Sequence, residues 1–146
     1  MTKRELKLKL VKFHKQLCKE LGIKPVPIYF IEDLEPGDSA ASYRWDKYIK
    51  IKLNYCIEEG CNPFSYIAHE TRHHYQRTMG WIGWTDKKSK GRRWKSKACT
   101  LRYYRWCNTL IVEGELKAYR HLPWEMDANR YMNFINDREG FDTYDV

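Results

Sequence analysis

The stretch from Asn62 to Gly80 constrains this chain most. Asn62 suits an N-cap, Pro63 the first helical position and Gly80 a stop, so the spacing predicts a helix from Pro63 to about Met79. On it Phe64, Ile67, Ala68, Thr71 and Tyr75 share a face suited to a core, whereas His69 and His73 fall on another. A helix of this kind has to dock on a core with one side and present the other to something different.

The flanking sequence supplies that core. Leu6, Leu10, Phe13, Leu17 and Leu21 recur at helical spacing over residues 2–21, and Gly22 suits the cap. The β-rich run Val26 to Ile31, the segment Ala40 to Trp45, a turn at Asp46-Lys47 and the alternating residues 48–53 predict a small antiparallel sheet with Ile49, Ile51 and Leu53 facing inward. Residues 81–98 show no period and read as a basic loop insertion, 99–119 as helical, and 137–146 as an acidic tail. Pro123 opens a last helix carrying Trp124, Ala128, Tyr131, Met132 and Ile135. The order helix, strands, helix, helices indicates an α+β fold, and 146 residues suit one domain, 1–146.

Charge is unevenly spread. The formal net charge is +8, and nine basic residues with no acidic one lie between Lys87 and Arg105. With Trp94, Tyr103 and Tyr104 interleaved, the segment Lys87 to Trp106 could hold nucleic acid, Arg92, Arg93, Lys95 and Lys97 neutralising phosphates while aromatic rings stack on bases; the plainer reading is a solvated loop. Five cysteines without a C-x-x-C spacing read as reduced thiols, Cys56 and Cys61 being close enough in sequence to raise a metal or redox alternative. No run is long and apolar enough for a membrane span, and no apolar stretch follows Met1-Thr2-Lys3-Arg4-Glu5, so the expected compartment is the cytoplasm, with no membrane partner.

Histidines at i and i+4 project two imidazoles from one helix face, so His69 and His73 can reach one zinc ion. Glu70 follows the first of them, where a carboxylate can take a proton from a zinc-activated water and later deliver it to a leaving amine. His74 is off that face and reads as a surface or outer residue, and His14 and His121 have no such pairing. A catalytic zinc usually has three protein ligands. A third histidine six residues on is excluded, because Met79 stands there. On the last helix Glu125, Ala128, Asn129 and Met132 share a face, which favours Glu125 as third ligand and Asn129 as a residue orienting a histidine, while Asp127, Glu113 and Glu115 stay open. Tyr119, His121, Tyr103 and Tyr104 are candidate donors to an oxyanion, against plain packing for each.

The motif His69-Glu70-x-x-His73 followed by Glu125-x-x-Ala128-Asn129 resembles the gluzincin pattern. Together with the chain's small size and element order it is similar to the ImmA/IrrE-like metallopeptidases of phages and mobile elements, over residues 26–56, 63–79 and 120–135. The resemblance implies a minimal zincin-like fold and one zinc per chain held by His69, His73 and Glu125. It also implies Glu70 as base, hydrolysis of a peptide bond in a specific cytosolic protein, and the 48–53 strand as the edge along which a peptide is laid. The chain departs from the pattern in having Asp127 where a glutamate is usual, a long insertion over 81–117, and no attached DNA-binding domain. A nucleic-acid-associated protein, a peptidase acting on DNA-bound proteins, and a metal-binding protein without turnover are the competing expectations.

Overall fold

The computed structural model describes residues 1–32, 39–84, 92–95 and 119–142. Thr2 opens the first helix, α1 (Lys3–Leu21), with a reciprocal capping box to Glu5, an arrangement worth about 1 kcal/mol. Gly22 closes it in the left-handed region, φ 72°, which glycine adopts without strain.

The strands β1 (Ile28–Phe30), β2 (Ala41–Arg44) and β3 (Tyr48–Ile51) form one sheet in the order β1-β3-β2. The expectation of an antiparallel sheet is corrected: β2 pairs with β3 antiparallel, but β1 runs parallel to β3, Ile28 beside Ile49 and Phe30 beside Ile51. The chain reverses between β1 and β2 and again at the Asp46-Lys47 turn, so β1 and β3 run the same way, and with β2 on one side of β3, β1 takes the other. The same topology corrects the expectation for residues 48–53. Strand β3 is central and paired on both sides, so the edges are β1 and β2, of which β2 lines the cavity. Leu53, expected to end that strand, instead begins a short helix, α2 (Leu53–Glu59).

Helix α3 (Pro63–Thr78) is capped as expected, the Asn62 side chain accepting from the Phe64 N–H at 2.9 Å. It contacts α1, β2, β3 and the final helix, α4 (Pro123–Glu139). Leu10, Ile49, Ile51, Leu53 and Ile67 form one part of the core, and Leu17, Ala68 and Ile135 another. Residues 81–98 are not wholly a loop. Between them β4 (Ile82–Trp84) and β5 (Arg92–Trp94) pair antiparallel, strands too short to show alternation in a sequence. Trp81 and Trp94 meet edge to face, with the Lys95 ammonium 3.7 Å from the Trp81 ring centre. Asp137, Arg138 and Glu139, expected in a tail, are the last residues of α4, whose Arg138 pairs with Glu20 of α1 at 2.7 Å. Residues 99–118, expected to be helical, lie outside the described residues. Among those described, no helix is long and apolar enough to cross a membrane.

Two histidines outside the motif fasten α3 to its neighbours. His14 Nε2 accepts from the Val26 N–H at 3.1 Å, so Nδ1 carries the proton and donates to Thr71 Oγ1 at 2.8 Å, and Thr71 donates in turn to the Ile67 carbonyl. His74, expected at the surface or as an outer residue, is buried: its Nε2–H donates to the Lys24 carbonyl at 2.6 Å and its Nδ1 accepts from the Tyr43 hydroxyl at 2.9 Å. Cys18 is buried beside His14, and its thiol is pushed up to about 12 by burial. Cys56 is raised to about 11, first by burial and then by Cys61. Both are free thiols, as is Cys61, and neither of the two buried ones is disposed to react.

Burial, and then the neighbouring His74, lower the His14 pKa from 6.5 to about 4. A base whose folded pKa is depressed contributes its stability fully above 6.5 and loses it as pH falls, because the unfolded chain then binds the extra proton. Between pH 7.5 and 5 the wild-type protein should therefore lose roughly 2 kcal/mol that a His14→Gln variant does not lose. Urea unfolding at both pH values checks it, and parallel slopes for the two proteins would remove His14 as the cause.

Candidate metal centre

One turn of α3 sets His69 and His73 side by side, their rings edge to face with centres 4.7 Å apart. Their Nε2 atoms are 3.1 Å apart. Helix α4 supplies Glu125 from its first turn, and the carboxylate spans both rings, Oε2 lying 3.0 Å from His69 Nε2 and Oε1 3.1 Å from His73 Nε2. Ala128, fully buried one turn on, takes little room where α4 lies against α3. Two imidazole nitrogens and a carboxylate thus face one another, with one donor atom from each side chain within 4.8 Å of the other two. Ligands at zinc's usual bond lengths in a tetrahedron sit about 3.3 Å apart, so two nitrogens and a carboxylate at this spacing are a donor set that could hold the ion after small side-chain adjustment.

The residue that orients His73 was not found in the sequence. Gln76, fully buried one turn further along α3, donates through its Nε2 to the Trp124 carbonyl and to Asp127 Oδ2, both at 2.9 Å. Those two acceptors require the amide nitrogen on their side, which leaves Oε1 to accept from His73 Nδ1 at 2.9 Å. Nδ1 therefore keeps its proton, so that Nε2, once it gives up its own, is the atom able to coordinate, as a ligating imidazole needs. A clue was present, since Gln76 follows His73 by three residues and so shares its helix face.

Asp127 is turned away from this point. It receives two hydrogen bonds from Arg72, at 2.7 and 3.2 Å, as well as the one from Gln76. Burial works to raise its pKa, but the hydrogen bonds from Arg72 and Gln76 hold it below the usual range. The Arg72 guanidinium lies 4.5 Å from the Tyr75 ring centre, 5.3 Å from Trp81 and 5.2 Å from Tyr131. The ion pair is thus clamped by aromatic rings.

Glu70 is buried, 7% exposed, and burial raises its carboxyl above the ordinary range even though both motif histidines pull it down. For Glu125 burial also works upward, but the His73 charge and the two histidine hydrogen bonds prevail and its pKa falls well below normal. Burial acts to lower His73, yet the Glu125 carboxylate outweighs it and raises that pKa to about 9. The Tyr119 hydroxyl donates to Glu125 Oε1 at 3.0 Å, and burial followed by the Glu125 charge pushes its own ionisation upward, so it stays a donor.

A cavity of about 560 Å³ opens on this group, walled by β2, α3, β4, β5 and the first turns of α4. Asn129 lines it, but the side-chain amide that bonds a motif histidine is that of Gln76. His121 is exposed. Arg92 lines the cavity and Arg93 is in β5, while Lys95 rests on Trp81 and Trp94, so Arg92 and Lys95 are not displayed as one basic stripe. Lys97, Tyr103, Tyr104, Glu113 and Glu115 lie outside the described residues. Comparison with protein-family models, characterised proteins and solved structures finds no match. What the centre can do is therefore read from its own geometry.

Two outcomes follow from that geometry. With His73 protonated below about pH 9 in the metal-free protein, zinc has to displace that proton, so affinity should fall about tenfold for each unit of pH below 9; competition with a chromophoric chelator across pH 7 to 9 measures it, and a flat profile would contradict the protonated state. Replacing Gln76 by Leu removes the acceptor on His73 and should weaken zinc binding about 10- to 100-fold. Unchanged affinity in Gln76→Leu would mean that the amide does not orient the ring.

Proposed function

We propose that this chain is a zinc-dependent peptidase of the gluzincin type, with His69, His73 and Glu125 as ligands and Glu70 as the proton carrier. The observation that carries the reading is the convergence of those three donor groups beside a buried Glu70 at an open cavity. Bound there, zinc would polarise a scissile carbonyl and make water a stronger acid and nucleophile near neutral pH.

The chain's own groups account for the remaining chemistry. Glu70, raised toward neutrality by burial, is suited to take a proton from the attacking water and return it to the departing amine. Tyr119 holds one oxygen of Glu125, which limits how that carboxylate can swing. Strand β2 offers a place for substrate. The Lys52 N–H donates to the Ala40 carbonyl, so residues 40, 42 and 44 bond to β3, and the backbone groups of Ala41 and Tyr43 point the other way, on the cavity side of the sheet. The Ala41 carbonyl accepts from Ser39 Oγ at 2.9 Å, which leaves Tyr43 as the better position for pairing with an extended peptide.

The expected outcome is one zinc per chain in the wild type. In Glu70→Gln zinc content should be unchanged and peptide hydrolysis should fall by at least about a hundredfold. Metal analysis and mass spectrometry of cleaved peptides read the two quantities separately. Wild-type turnover in Glu70→Gln would overturn the assignment of the base.

A further inference from the structure

Helix α1 is the most basic of the described helices, with seven basic residues against Glu5 and Glu20. At about 100° per residue, Arg4, Leu8, Lys12, Lys15 and Lys19 fall within an arc of about 80°, on the side opposite the buried Leu10 and Leu17. All five are exposed, Leu8 at 64%. They form a straight line about 22 Å long. Both acids of α1 are occupied elsewhere: Glu5 closes the N-terminal capping box, and Glu20 pairs with Arg138. Among the described residues none of the four cations of the line makes an ion pair. A helix face that is merely solvated commonly sets acids and bases four residues apart, and this line contains no acid.

We infer that this line docks the protein on an anionic lipid surface, the four cations lying over the headgroups and Leu8 entering the interface between them. The inference goes beyond the peptidase reading and does not depend on it. A row of cations on a straight helix matches a plane of negative charge, and each cation held near such a surface contributes roughly fivefold in affinity. Leu8 decides between polyanions. An apolar side chain in the middle of the line gains nothing against hydrated phosphates, but it gains by leaving water at a bilayer interface. The line also lacks the Ser, Thr, Asn and Gln side chains that commonly join Lys and Arg in holding a nucleic acid. The apolar side of α1 stays in the core, so attachment is peripheral and leaves the helix folded where it is. Among the described residues no helix can cross a membrane, and surface docking requires none. The expectation of no membrane partner, drawn from the lack of a long apolar run, is revised accordingly.

The test is co-sedimentation of the full chain with vesicles of phosphatidylcholine, alone or with about 30% phosphatidylserine, in about 0.1 M salt. The protein should sediment with the anionic vesicles only. Raising the salt to about 0.5 M, which shortens the screening length from about 10 to about 4 Å, should release it. Lys12→Gln, Lys15→Gln and Lys19→Gln together should weaken binding about a hundredfold. Arg44→Gln, Lys47→Gln and Arg130→Gln remove the same charge from exposed positions off α1, and together they should weaken it less than about fivefold. Leu8→Gln should weaken vesicle binding about fivefold and leave binding to a DNA duplex of about 20 base pairs unchanged. Glutamine is a good helix former, so the α1 variants keep their helix. No binding to anionic vesicles, equal loss in the two triple variants, or vesicle binding unchanged in Leu8→Gln would each overturn the inference. Duplex binding that is lost with the α1 lysines, in the absence of vesicle binding, would overturn it in favour of nucleic acid.

Discussion

Everything in this structure depends on burying a polar helix. Of the seven buried residues of α3, five are polar: Ser65, Glu70, Thr71, His74 and Gln76. A buried polar side chain left without a partner loses its hydration uncompensated, at about 1–3 kcal/mol for a neutral group. The fold answers by bringing partners from three neighbouring elements to the anchoring side chains. Asn136 of α4 meets Ser65, His14 of α1 meets Thr71, and Tyr43 of β2 meets His74. Gln76 is met by Trp124 and Asp127 of α4. These contacts set the position of α3 more narrowly than Ile67 and Ala68 could, since apolar packing tolerates sliding and hydrogen bonds do not.

That arrangement has a direct bearing on the centre. The buried amide of Gln76 serves as core hydrogen bonding and as the support of His73 at once, and its own geometry is fixed by Asp127, which Arg72 and three aromatic rings hold in turn. Rigid support of this kind separates three donors held facing one another from three side chains that merely share a cleft.

How much of this was legible in the sequence depended on whether the signal was local. The bounds of α3, its proline and asparagine, the i, i+4 histidines and the phase that favours Glu125 over Asp127 are set within a turn or two of helix, and the structure brings His69, His73 and Glu125 together as that phase implied. Strand pairing is set by which side of β3 each neighbour can reach, and this is a property of the assembled sheet, so the parallel β1 and the edge at β2 were not legible. His74 was misplaced because a histidine beside a motif carries no mark of burial; Lys24 and Tyr43, which make its burial tolerable, lie 50 and 31 residues away. The short pair β4 and β5 depends on tryptophan and lysine stacking, which has no period.

The edge strand β2 has a further consequence. Among the described residues no strand pairs with its far side, so a row of backbone donors and acceptors is presented where a guest strand can add. Such a row does not distinguish a substrate from the same strand of a second molecule, and edges of this kind template self-association. Restraint comes from the strand's brevity, four residues, and from its recess in the wall of a cavity, where a flat sheet edge cannot follow as a flexible peptide can. Lengthening β2, or filling the cavity mouth so that the strand stood proud of it, would turn a selective docking groove into a seed for aggregation.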